Sequence, residues 1–110
     1  MESLDTVFDL LSKERRRYVL YYLKQEEGKI PVEEVVETVA EWESSGEEVS
    51  DEKYRRVRIS LQHTDLPKST DAEFIEYNPE EGVVQVSGIS IEADTVISIA
   101  KVVENPESNG

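Results

Sequence analysis

Apolar residues recur along this chain at helical spacing in five stretches and alternate in two others. Leu4, Val7, Phe8 and Leu11 fall at i, i+3, i+4 and i+7 behind Ser3, a residue suited to capping a helix N-terminus. Ser12 opens a second stretch, KERRRYVLYYLKQEE, with Arg16, Val19, Leu20 and Leu23 on one face and Tyr18 and Tyr22 on a neighbouring one. Gly28 is its natural stop. Lys29 and Ile30 read as a short extended link, after which Pro31 sits where proline is tolerated, in the first turn of a third helix. There Val32, Val35, Val36 and Val39 make an apolar stripe opposite a row of glutamates, and Ser44, Ser45 and Gly46 end it.

A fourth helix, about 51–66, follows Ser50 as cap, with Asp51 and Glu52 at its positive end. At roughly 100° per residue, Tyr54, Val57 and Leu61 fall on one side and Ile59, His63 and Leu66 on another. A single wide buried arc covering both sets leaves Arg55, Arg58, Gln62 and Asp65 for solvent, and makes His63 a hydrogen-bonded core residue. Pro67 cannot donate to the carbonyl of His63, so the helix is expected to kink or end there.

Phe74, Ile75 and Tyr77, then Val83, Val84 and Val86, frame Asn78–Gly82 as a β-hairpin with a five-residue loop, closed by Gly88. From Ser90 a last helix carries Ala93, Val96, Ile97, Ala100 and Val103 on one stripe. Ile99 and Val102 add a second stripe that one core contact would leave uncovered, which predicts a homodimer paired through this helix.

The resulting order predicts an α+β, mostly helical fold: a winged helix-turn-helix with a two-stranded β-hairpin wing and an additional C-terminal helix. Residues 1–88 form the winged domain, 89–104 the C-terminal helix and 105–110 a polar tail.

Composition narrows the function. At 110 residues the chain is one domain. It has no cysteine and one histidine, so disulfides and thiolate metal sites are excluded, no zinc site is expected and a reducing compartment is implied. The N-terminus lacks the pattern of a signal peptide, and no run approaches the roughly 18 apolar residues of a membrane span, so a cytoplasmic protein without membrane contact is expected. No Gly-rich phosphate loop or nucleophile motif is present, and a non-enzymatic role without cofactor is expected.

The net charge is −13. Such a charge would keep an ordinary protein off DNA, but it suits a protein bathed in molar salt, where the Debye length is about 3 Å. Its distribution is segregated. Nine of the twelve basic residues lie in two runs, Lys13 with Arg15 to Arg17, and Lys53, Arg55, Arg56, Arg58 and Lys68.

ERRRYVLYYL at Glu14 to Leu23, VAEWE at Val39 to Glu43 and YRRVRISLQHTDLPK at Tyr54 to Lys68 resemble the signature blocks of a haloarchaeal family of small winged-helix domains of unknown function. The resemblance spans roughly Leu4 to Val86 and implies a winged-helix fold, a halophilic archaeal source and DNA-binding or transcriptional activity. Where that family has an apolar residue after LPK and a glycine before the wing, this chain has Ser69 and Glu73, which predicts a looser end to the fourth helix and an altered approach to the wing.

Two functions follow. In the first, the fourth helix enters the major groove of double-stranded DNA, with Arg55, Arg58 and Gln62 on base edges and Lys53, Arg56 and Lys68 completing the DNA contacts. Lys13, Arg15 and Arg17 are candidate phosphate contacts, while Arg16, beside the core stripe, is expected to pair with a glutamate. In the second, the same frame is an acidic protein-interaction module that does not bind DNA. Glu76, Glu80 and Glu81 on or near the wing tip favour the second reading at ordinary salt.

Overall fold

The computed structural model describes residues 3–107. Helix α1 (Leu4–Leu11) is followed by α2 (Glu14–Gln25), strand β1 (Ile30–Pro31) and α3 (Val32–Glu43). Next comes one long helical rod: α4 (Asp51–Ser60), a π-helical turn (Leu61–Asp65) and α5 (Leu66–Ser69). Strands β2 (Ile75–Asn78) and β3 (Val83–Val86) make the hairpin, and α6 (Ile91–Glu104) closes the chain. The expected tail 105–110 is described only to Glu107; residues 108–110 lie outside the described residues.

Serine caps start three of these helices. The hydroxyls of Ser3, Ser50 and Ser90 accept from the backbone N–H of Thr6, Lys53 and Ala93 at 3.1–3.2 Å, satisfying donors that a helix N-terminus leaves unpaired. Ser12 does not open α2, as the sequence suggests; its hydroxyl donates to the carbonyl of Asp9 at 2.6 Å and closes α1 instead. Lys13 takes the N-cap position of α2 without a capping side chain.

The extended link expected at Lys29 and Ile30 proves to be a strand over Ile30–Pro31, so Pro31 is the N-cap of α3 rather than part of its first turn. The strand pairs antiparallel with β3, Ile30 opposite Val84 and Pro31 opposite Val83, so the sheet has three strands in the order β1-β3-β2. Proline is tolerated because β1 is an edge strand. In the hairpin Asn78 already pairs with Val83, leaving a four-residue loop, one shorter than expected. The Asn78 side-chain carbonyl accepts from the N–H groups of Glu80 and Glu81 at 3.0 and 3.1 Å, and Gly82 supplies the positive φ of 69° that completes the turn.

The core gathers Val19, Leu20 and Leu23 of α2, Val35, Val36 and Val39 of α3, Val57 and Leu61 of the rod, and Phe74, Ile75 and Val84 around the sheet. Trp42 locks α2 to α3, its ring edge-to-face with Tyr18 at 5.8 Å and with Tyr22 at 6.1 Å between centroids. Helix α6 adds Ala93 and Ile97 to the same core and runs antiparallel to α2, with Lys24 paired to Asp94 near one end and Arg17 to Glu104 at the other.

The expected break near His63 takes the form of a π-helical turn between α4 and α5, and the chain stays helical through Pro67 to Ser69. Pro67 lies just after that turn, in which the N–H of Leu66 bonds the carbonyl of Leu61. A proline ring removes one helical hydrogen bond and crowds the carbonyl four residues back; widening the turn ahead of it relieves both, and the helix continues to Ser69. Ser69 is fully buried and donates to the carbonyl of Asp65 at 2.7 Å, so the rod ends firmly where the departure from the family pattern predicts loosening. Glu73 adopts no positive φ, so the approach to the wing needs no glycine there.

Candidate nucleic-acid interface

The rod places its side chains differently from the wide buried arc drawn on the sequence. Val57, Leu61, Asp65, Leu66 and Ser69 are buried and Tyr54 partly so. Ile59 is 51% exposed and His63 is exposed, so both leave the core to which the sequence assigns them. Asp65, expected in solvent, is buried and accepts a hydrogen bond from the Ser60 hydroxyl. The reason is geometric: an arc centred on Val57 and Leu61 is about 100° to 140° wide, and Ile59 and His63 lie roughly opposite its centre.

The outward arc is therefore Arg55, Arg56, Ile59, Gln62 and His63. No carboxylate interrupts the chain from Lys53 to Thr64. Arg55, Gln62 and His63 make no hydrogen bond or ion pair with other described residues, whereas Arg56 reaches Glu52 only at 3.7 Å on an exposed surface.

The other basic candidates are held by the protein's own acids. Arg58 forms a two-pronged pair with Glu33 of α3, Nε to Oε1 at 2.7 Å and Nη2 to Oε2 at 3.0 Å. The hydrogen bond from Arg58 keeps the Glu33 carboxyl below the usual range against the opposing effect of burial. Lys68 spans Asp71 at 3.0 Å and Asp9 of α1 at 3.2 Å.

Lys53 and Arg15 converge on Glu43, whose side chain is 6% exposed: Lys53 Nζ lies 2.7 Å from Oε1, and Arg15 Nε 2.6 Å from Oε2. Burial pushes the Glu43 carboxyl up, but the hydrogen bonds from Arg15 and Lys53 outweigh it and hold the group below the ordinary carboxylate range. One carboxylate thus fixes α2, α3 and the N-terminal turn of α4 together.

The arginine run on α2 is turned inward. Arg16 is buried and bonds no glutamate; it donates to the carbonyls of Asp9 at 2.7 Å and Leu10 at 3.3 Å, satisfying the C-terminus of α1. Arg17 donates to the carbonyl of Leu11 at 2.9 Å and clamps Glu104 of α6 with two bonds of 2.7 and 2.8 Å. Of the candidate phosphate contacts only Lys13 is exposed and without an ion pair among the described residues.

Around the rod, a groove of about 640 Å³ separates α3 from α4, lined by Glu33, Glu37, Asp51, Tyr54, Arg55 and Arg58. The hairpin tip carries exposed Glu80 and Glu81, with Glu76 exposed on β2. On α6, Ile99 and Val102 are 58% and 79% exposed, with Ile91 and Val103 more so, and Leu4 and Phe8 of α1 are also about half in solvent. No helix of the described residues is long and apolar enough to cross a membrane.

Residues 8–85 match the family model of a domain of unknown function, DUF7344. The chain belongs to the DUF7344 family. The match runs from α1 to β3 and so takes in the whole helical rod and the hairpin, while α6 lies beyond it. No curated protein and no solved structure matches this DUF7344 chain. The α+β architecture, helices followed by a hairpin within a three-stranded antiparallel sheet, is compatible with a winged-helix layout.

Ile59 and His63 join the candidate surface against the sequence expectation, which places both in the core. At roughly 100° per residue both lie well over 90° from the line through Val57 and Leu61, so the helical angle alone marks them as outward-facing.

Proposed function

We propose that this DUF7344 domain is a sequence-specific DNA-binding transcription regulator of a halophilic archaeon, working in the cytoplasm, with the outer arc of the helical rod in the major groove. The observation that carries the reading is that arc itself. In a chain with 25 acidic residues, it offers Arg55, Gln62 and His63 with no hydrogen-bond or ion-pair partner among the described residues and no carboxylate among them. Arginine and glutamine are suited to guanine and adenine edges. Lys13 and Arg56 are the readiest contacts to phosphates, and Lys53, Arg58 and Lys68 join them where DNA outcompetes their present carboxylates. Two copies pairing through Ile99 and Val102 of α6 would present two such helices to successive half-sites.

A second reading is favoured by a specific observation. Glu33 and Glu34 occupy the first turn of α3, Glu33 and Glu37 line the groove beside Arg55 and Arg58, and the hairpin exposes Glu76, Glu80 and Glu81 rather than basic residues. This is the arrangement of a protein-interaction module that uses the winged frame without nucleic acid. Molar salt is the condition that separates the two: it screens the flanking carboxylates, and at the same time weakens phosphate contacts, leaving base contacts and apolar burial to supply the affinity.

Fluorescence anisotropy of a random-sequence duplex pool, titrated with the chain from 0.2 M to 3 M KCl, tests the choice. The regulator reading expects saturable binding that Arg55→Ala with Gln62→Ala weakens at least tenfold. Absence of binding at every salt, or binding indifferent to that double variant, leaves the protein-interaction module.

A further inference from the structure

We propose that Ile59 determines sequence specificity by packing against the C5-methyl group of a thymine, an assignment that rests on the DNA-binding reading of the same helix. Ile59 is 51% exposed in the last turn of α4, within the continuous helical rod, where an alanine or a glutamate would favour the helix more and expose less apolar surface. Its neighbours on the outer arc are Arg55 at i−4, Arg56 at i−3, Gln62 at i+3 and His63 at i+4, all cationic or hydrogen-bonding and none acidic.

What fits this pattern is a surface of negative charge with hydrogen-bonding edges and a small apolar group between them. Side chains one helical turn apart sit about 5–6 Å from one another, which is one to two base steps along a strand of duplex DNA. Of the four bases only thymine presents a methyl group in the major groove, and purines on either side of it offer the acceptors that Arg55 and Gln62 require. The predicted core of the site is thus a thymine within two base pairs of a guanine that Arg55 contacts.

The experiment uses duplexes selected from a random pool with the full chain, each thymine then replaced in turn by deoxyuridine, which removes the methyl group and leaves every hydrogen-bonding atom in place. At one thymine the replacement is expected to weaken wild-type binding about fourfold, the worth of one buried methyl group. Ile59→Ala is expected to weaken binding to the thymine duplex by at least that factor and to be indifferent to the replacement, with its helical circular dichroism unchanged. Wild-type binding that no replacement alters, or an effect that persists undiminished in Ile59→Ala, overturns the assignment while leaving the DNA-binding reading intact. Failure of the wild type to bind any duplex overturns both.

Discussion

Arg58 and Glu33 face each other across the junction of α3 and α4 with two hydrogen bonds of 2.7 and 3.0 Å, so the arginine best placed beside the outer arc is occupied by an acid of the preceding helix. Both side chains are more than a third exposed, and such pairs contribute only about 0.2–1 kcal/mol to stability. Glu33→Gln is therefore expected to leave the melting temperature within a few degrees of wild type while freeing Arg58 for phosphate. DNA affinity at low salt should rise about three- to tenfold, as expected for one additional phosphate contact and one fewer acid. Anisotropy titrations of the two proteins side by side measure it, and unchanged affinity would remove Arg58 from the interface.

Glu43 behaves differently because it is buried. Removing its charge leaves Arg15 and Lys53 facing a neutral group, and Glu43→Gln is expected to cost about 2–3 kcal/mol in urea denaturation at pH 7. Its pH dependence has a definite sign. The carboxyls of Glu43, Glu104 and Glu33 all lie below their ordinary values in the folded protein, through bonds to Arg15 and Lys53, to Arg17 and to Arg58. Their contribution is complete above the unfolded value of about 4.3 and is lost as pH falls through the folded ones. Wild-type stability should thus decline steadily below about pH 5, and the decline should be shallower in Glu43→Gln.

The register of the rod can be tested by two truncations two residues apart. Leu61 is fully buried, and Leu61→Ala is expected to cost about 2–5 kcal/mol. Ile59→Ala, at a position half in solvent, should change stability by less than about 1 kcal/mol. Chemical denaturation of the pair decides, and equal losses would return Ile59 to the core.

On α6 the exposed Ile99 and Val102 are expected to be covered by a second copy. Sedimentation or light scattering at micromolar concentration should give twice the chain mass of 12.6 kDa for the wild type and the single mass for Ile99→Glu with Val102→Glu. A monomeric wild type would sink the pairing.

Most of the architecture was legible because local chemistry and tertiary packing agree. Ser3, Ser50 and Ser90 announce three helix starts, the valines of α3 state their face, and Asn78 with Gly82 announces the hairpin. What escaped was set by long-range partners. Ile30 reads on its own only as part of an extended link and Pro31 only as a helix start, and they pair as a strand because β3 offers an edge. The π-helical turn depends on how the rod settles around Pro67. At the candidate site the residue types were visible but their engagements were not: nothing local distinguishes Arg55, which has no ion pair among the described residues, from Arg58, whose glutamate lies twenty-five positions away.

The triple use of Arg17, on the carbonyl of Leu11 and on both oxygens of Glu104, has a mechanical meaning. A single guanidinium on α2 fastens the last turn of α1 and the last turn of α6, so the two flanking helices are braced against one strut. They should open in hydrogen exchange as one cooperative unit, and a load placed on α6 by a bound partner should be felt by α1 before it reaches the rod.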